Sequence, residues 1–364
     1  GVFELHAVLQ LAVGCIDHST LVILFAMMII AAELKLAGFF ELAGHWLLRR
    51  IRSRRLFLLA VILISGVFSA ICINDIVCLL FTPMVLLACR KMQANPVPYL
   101  LGVALASNIG SAATLVGNPQ NILIASLSGL SFAGYFLAAA PVSALGLAAT
   151  HLILCLLYRQ ELAGPMPESE ASPANTHPYL IGKGLLILSG VLAGFVLEAD
   201  MAVVSILGAA AILFTRRIKP NKIYTAVDFN LLVIFTGLFV IIGSVESSGL
   251  MDWLLRQLGL GRFDNYPVFA LATIGFSNLF SNVPAVLLLK YLIPARGAAQ
   301  WWTGLAVFST VAGNLTITGS IANLIVAEIA RRDNIRLGFL EYLRAGLPLT
   351  VIVSLLALLL LPAP

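Results

Sequence analysis

Apolar residues along this chain run in blocks whose lengths suit a bilayer, separated by short clusters of charge. A helix that crosses the hydrocarbon core needs about 20 largely apolar residues. Windows close to that length lie near residues 19–37, 98–126, 135–158, 180–198, 201–215, 229–245, 301–327 and 346–361. Two further windows are different. Residues 56–88 are too long for one crossing and are interrupted at Asn74 and Asp75, with a second arm that reads as short. Arg49, Arg50, Arg52, Arg54 and Arg55 precede this stretch, and Arg90 and Lys91 follow it. Positive charge favours the cytoplasmic side, so the stretch is predicted to enter and return on one face as a re-entrant hairpin with Asn74 and Asp75 at its tip. Residues 267–293 repeat the design around Ser281 and Asn282.

Composition agrees. Of 364 residues, 22 are Lys or Arg and 17 are Asp or Glu, while 60% are apolar. A soluble domain of this size carries roughly a quarter charged residues, so a soluble protein is excluded. The net charge of +5 reads as loop orientation rather than as affinity for nucleic acid. Placing the hairpin at 56–88 on the cytoplasmic side and the one at 267–293 on the opposite side puts 17 basic residues inside and 4 outside. The two halves are then inverted. Five cysteines, mostly inside apolar runs, give no disulfide framework and no CxxC pair. The chain opens on Gly1, and residues 1–16 are too short and polar for a crossing, so part of the native N-terminus is expected to lie outside it.

A short internal alignment supports the inversion. TLVGNPQNILIA at 114–125 matches TITGSIANLIVA at 316–327, with Thr, Gly, Asn and Ala in register. Asn108 in SNIG is set against Asn314 in GNLT with a slip, and FAMMIIAAE at 25–33 resembles FVIIGSVE at 239–246. Each half is predicted to run helix, amphipathic segment (38–51 and 247–258), hairpin, interrupted helix, helix. The expected fold is an all-α polytopic membrane protein of two inverted repeats, residues 1–158 and 180–364, each with a re-entrant helical hairpin and a discontinuous transmembrane helix. Residues 159–179, rich in Pro, Ser, Ala and Glu, read as a cytoplasmic linker.

The informative feature is polarity at membrane depth. Window 98–126 carries Ser107, Asn108, Thr114, Gly117, Asn118, Pro119 and Asn121 in its middle and far half. Proline removes an amide hydrogen and glycines loosen the backbone, so the helix should break there. Window 301–327 does the same with Asn314, Thr316, Thr318 and Asn323. Irregular backbone at this depth survives only when it is buried in protein or lines a cavity, and paired broken helices in two repeats point to a transport site. A broken helix offers free N–H groups to an anion and free carbonyls to a cation. Neither broken helix contains a formal charge, so an anion is expected to bind through dipoles and amides while a co-transported cation supplies the missing charge.

NDIVCLLFTP at 74–83, SNIGSAATLVGNPQNILIA at 107–125 and SNVPAVLLL at 281–289 resemble the citrate-transporter-like and arsenical-pump-type permeases of the ion transporter superfamily, relatives of the divalent anion:sodium symporters. The resemblance runs from residue 19 across nearly the whole chain. It implies a homodimer in a bacterial inner membrane, with a scaffold of the helices near 19–37, 180–198, 201–215 and 229–245. A mobile unit of hairpins and broken helices would move by an elevator-like step. It places Asn74 and Asp75, and Ser281 and Asn282, at the two hairpin tips. The dicarboxylate branch usually shows Ser-Asn-Thr at both tips, whereas this chain has Asn-Asp-Ile and Ser-Asn-Val.

The residues expected to bind substrate are therefore Asn74, Ser107, Asn108, Thr114, Asn118, Asn121, Ser281, Asn282, Asn314, Thr316, Thr318 and Asn323. Asp75, with Asn74, Asn108, Gly117, Asn282 and Asn314, is expected to hold the coupling ion. Asp75 could alternatively cap the second hairpin arm, and the asparagines could be interhelical glue. Glu33, Lys35 and Glu246 read as snorkelling residues near span ends, and His151 as a packed residue. Cys72 and Cys78 flank the first tip and read as core cysteines, a thiol site for arsenite being the weaker alternative. Gly190 and Gly194 form a GxxxG pair that suggests close helix packing near a dimer contact.

The leading function is secondary transport of a small anion or neutral oxyacid coupled to Na⁺ or H⁺. The alternatives are a Na⁺/H⁺ antiporter with Asp75 as the exchanging carboxylate, or the membrane subunit of an ATP-driven arsenical pump. No P-loop occurs, so such a pump would need a separate ATPase. No enzyme is expected, since no Ser/His/Asp or metal-spaced cluster is present, and no cofactor beyond Na⁺ as a coupling ion.

Overall fold

The computed structural model describes residues 13–51, 53–164, 176–214, 220–250 and 262–362, with Trp253 and Gln257 between the last two ranges. The middle of the linker (165–175), half of segment 247–258, and Arg52, Arg216, Arg217, Lys219 and Arg256 lie outside the described residues. The first half is built from α1 (His18–Leu36), α2 (Phe39–Arg50), α3 (Arg54–Ile71), α4 (Asn74–Lys91), α5 (Val97–Ser111), α6 (Pro119–Ser128) and α7 (Phe132–Leu157). The second holds α8 (Pro178–Val196), α9 (Met201–Leu213), α10 (Phe229–Ser247), α11 (Tyr266–Phe280), α12 (Asn282–Leu289), α13 (Ala298–Ala312), α14 (Ile321–Arg332) and α15 (Phe339–Leu360). Six of these, α1, α3, α7, α8, α10 and α15, are long and apolar enough to cross a membrane. The protein is an all-α, multi-pass membrane protein.

Elements α3–α7 and α11–α15 follow one plan: hairpin arm, hairpin arm, broken helix in two pieces, closing helix. Both predicted breaks occur. α5 stops at Ser111 and the helix resumes at Pro119, where Asn118 caps the new N-terminus by accepting from the Asn121 amide. α13 stops at Ala312, a 3₁₀ turn covers Ile317–Gly319, and α14 begins after Ser320. The expected short second arm holds in one hairpin only. α12 has 8 residues and a 3₁₀ turn at Lys290–Leu292, ended by Pro294, which disfavours helix in the residue before it. α4 instead has 18 residues, as many as α3, because nothing stops it before Met92.

Packing crosses between the halves. Within each half the first hairpin arm lies along the first piece of the broken helix, α3 on α5 and α11 on α13. The second arm packs on the other half's second piece, α4 on α14 and α12 on α6, while α7 and α15 join the halves from behind. α1, α8, α9 and α10 form a group beside this unit, with α1 touching α4 and α6.

The α3–α5 contact is close because Gly110 faces the backbone of Gly66. A methyl at Gly110 would run into the Gly66 carbonyl oxygen and Cα. Small residues let membrane helices approach in this way. Gly110→Ala is therefore expected to cost about 3 kcal/mol and to lower the thermal unfolding midpoint sharply. Gly275→Ala, where the added carbon meets nothing within 4 Å, should leave the midpoint unchanged or raise it. Equal midpoints for the two variants would show that the glycine crossing does not set the fold. Of the predicted GxxxG pair, Gly194 packs on Val204 of α9, while Gly190 meets nothing.

Candidate functional site

Both hairpin tips and both helix breaks converge on one buried polar cluster. Asn74, 3% exposed, opens α4, and its backbone N–H donates to the Gly117 carbonyl at the first break (2.9 Å). Its side-chain amide donates to Asn108 Oδ1 (3.0 Å), as does the Ser320 hydroxyl (3.0 Å). Asn108 Nδ2 in turn donates to Asn314 Oδ1 (2.9 Å) and to Asn323 Oδ1 (3.0 Å). Asn314 donates to the Leu105 carbonyl (3.2 Å). One asparagine of the first half thus ties the first tip to the second break.

The second half makes the reciprocal contact through Thr310. Asn118 Nδ2 donates to Thr310 Oγ1 (3.0 Å) and to Ser111 Oγ (2.9 Å), while the Thr310 hydroxyl donates to Asn121 Oδ1 (3.2 Å). In the register of the 114–125 and 316–327 alignment, Thr310 is the partner of Asn108. The expected Asn108–Asn314 match is therefore corrected: these two are hydrogen-bonded to each other, and Thr310 occupies the equivalent position.

Each break is closed by an identical device. Asn121 Nδ2 donates to the carbonyls of Thr114 (2.9 Å) and Ser111 (3.4 Å), seven and ten residues back. Asn323 Nδ2 donates to those of Thr316 (3.2 Å) and Gly313 (2.7 Å), again seven and ten residues back. A buried unpaired carbonyl is costly in lipid, and these side chains satisfy the carbonyls that the breaks expose. In this conformation, Asn121 and Asn323 spend their amide hydrogens on the backbone. Thr114 donates to the Ala70 carbonyl and Thr316 to Asn278 Oδ1 (3.0 Å), each fixing a break to its own hairpin.

A small cavity of about 30 Å³, room for one or two waters, lies between the tips. It is lined by Asn74, Asp75, Gln120, Ser281, Asn282 and Ser320, with Leu231 and Phe235 of α10 among its apolar walls. The side-chain oxygens of Asn74 and Asn282 are both buried and accept no hydrogen bond. Asp75, half-buried in the first turn of α4, also accepts none among the described residues. Among the described residues, no Lys, Arg or His lines the cavity. Asp75 also lines a second cavity of about 160 Å³ between α1, α4, α10 and α14, together with Lys35, Asp228 and Asn230. No group of three metal-ligating side chains occurs among the described residues.

Other expected residues lie elsewhere. Thr318 is exposed and bonded to Thr316 (3.3 Å), because the 3₁₀ turn points it away from the cluster. Ser107 is buried one turn behind, accepting from Cys78 (3.0 Å). His151 contacts Cys155 (3.5 Å) away from the site. Glu33 does not snorkel: it is 0% exposed. Ser320, Gln120 and Thr310 belong to the cluster in addition, and Ser320 stands opposite Asn118 in the internal alignment, where its role could have been read.

The family model described as citrate transporter matches residues 2–303. The chain belongs to the citrate transporter family. A 46 kDa membrane protein of Mycobacterium leprae (strain TN) is 30% identical, covering 94% of this chain and 85% of that one. The silicon efflux transporter LSI3 of Oryza sativa subsp. japonica is 28% identical, covering 94% and 86%. Among solved structures, the Alcanivorax borkumensis YdaH transporter superposes with a TM-score of 0.64 at 15% identity, covering 98% of this chain and 88% of that one; that likeness concerns the fold. This member of the citrate transporter family is a membrane transporter of the anion-permease type.

Proposed function

We propose that the protein is a secondary active transporter of a small oxyanion or neutral oxyacid, coupled to Na⁺ or H⁺, in a bacterial inner membrane. The observation that carries this reading is the tip cavity. It combines two unpartnered amide oxygens, one carboxylate and two helix breaks, with no cationic side chain. Oxygen ligands of this kind suit a hard monovalent cation, and the N-terminus of α14, which Ser320 leaves without a side-chain cap at the cavity wall, offers free N–H groups to an oxyanion or hydroxyl. With Asp75 at the wall, an anion alone meets net repulsion. A cation beside Asp75, or a neutral polyhydroxy acid, removes it.

An elevator-like step fits the packing, since the cavity lies where the hairpin unit meets the apolar surface of α10. A polar link spans that boundary among the described residues: Glu246 of α10 accepts from Tyr291 (2.6 Å) and Lys290 (3.4 Å). The same single carboxylate also supports a Na⁺/H⁺ antiporter as the second reading. Purified protein in liposomes with an inside-acid gradient and a fluorescent pH probe separates the two. A response to arsenite, silicic acid, phosphate or a carboxylate, with none to NaCl alone, is the expected result. Collapse of the gradient by NaCl alone would replace the permease with the antiporter.

A further inference from the structure

Glu33 sits within span α1, and both of its carboxyl oxygens are buried without a hydrogen-bond partner. It lines neither the tip cavity nor the cavity beside it. A carboxylate with no donor and no water is among the least favourable groups inside a membrane protein, whereas the protonated carboxyl is neutral and gains a donor of its own. Elements packed on α1 bring Glu41 from α2, Asp75 from α4, His177 and Lys183 from α8, Asp228 and Glu246 from the ends of α10, and Lys222 from the short helix Pro220–Tyr224. Of these, Lys183 is brought alongside by its neighbour Gly184, which packs directly on Leu34 of α1, and its charge acts on Glu33. Its ammonium is instead bonded to the Ile212 carbonyl at the end of α9 (2.9 Å). Glu246, which ends the similar segment 239–246 of the second half, is by contrast exposed and bonded through one oxygen, Oε2, by Tyr291 and Lys290. The glutamate near the end of α1 is therefore buried and unpartnered, while the one near the end of α10 is exposed and bonded.

We propose that Glu33 is a second proton-binding site of this transporter, separate from the tip cavity, with Lys183 as its counter-ion. In the conformation described, the carboxyl holds its proton and Lys183 rests on the Ile212 carbonyl. Loss of the proton to water leaves a carboxylate that draws Lys183 across from α9, so proton release at this site rearranges the contact of α1 with α8 and α9. The proposal is independent of which solute is carried, because proton binding is read directly.

The test is infrared difference spectroscopy, acid against alkaline, on wild-type, Glu33→Gln, Glu33→Asp, Lys183→Met and Asp75→Asn proteins in lipid. Wild type and Asp75→Asn should show a protonated-carboxyl band that vanishes on raising the pH, and Glu33→Gln should lack it. Lys183→Met should move its disappearance to higher pH, since removing the cation disfavours the carboxylate. Glu33→Asp, which keeps an acid should the glutamine variant fail to fold, should retain the band at a shifted pH. A band unchanged in Glu33→Gln, or in Glu33→Asp where Glu33→Gln does not fold, would overturn the site. An unshifted band in Lys183→Met would overturn the counter-ion.

Discussion

Asp75→Asn is expected to reduce cation-coupled transport to the leak of empty liposomes while leaving the folded protein intact. Removing the carboxylate from a desolvated cation costs about 2–5 kcal/mol of binding, hence about 30-fold or more in apparent cation affinity. The competing role, an acidic residue favouring the N-terminus of α4, is worth only about 0.5 kcal/mol. The two are separated by pairing flux with the thermal midpoint. Lost coupling at an unchanged midpoint assigns Asp75 to the ion, whereas retained coupling with a lowered midpoint makes it a helix-terminal stabiliser. Asp75 accepts no hydrogen bond among the described residues, so the amide variant breaks no recorded contact.

Asn108→Ala is expected to be the most damaging single truncation in the cluster. It removes the partner of Asn74, Ser320, Asn314 and Asn323 together. At about 0.6–1 kcal/mol for each bond inside a membrane protein, the loss is about 2–4 kcal/mol, and solute flux should vanish with it because the first tip loses its side-chain tie to the second break. Cys72, Cys78 and Cys89 are free and buried, so a thiol-reactive fluorophore reports unfolding without further labelling. A midpoint equal to that of wild type would mean that the network is not what holds the breaks together.

Much of this arrangement was legible in the sequence because bilayer length and breaks in polarity are local signals. Both hairpins, both helix breaks and the 114–125 to 316–327 match could be read from residue order alone. The alignment also held the Asn121 and Asn323 closures, which repeat at the same spacing. Contacts that swap residue type were not legible: Asn108 and Thr310 share a role, but an asparagine search pairs Asn108 with Asn314. Glu33 was misread because hydropathy places it near the end of a span without showing that neighbouring helices close over it. The length of α4 was hidden by the charges at Arg90 and Lys91, which look like a boundary but lie inside its last turn.

The crossing of the two halves has a consequence for how the protein is made. Asn108 and its partner Asn323 are 215 residues apart, and ribosomes add about 5–20 residues per second. The first hairpin and first broken helix therefore wait roughly 10–40 s in the membrane before the segments that satisfy them emerge. During that interval the amides of Asn74 and Asn108 can pair only with each other or with whatever escorts the nascent chain. The yield of this transporter is thus governed by its insertion machinery and by the pace of translation across the second half.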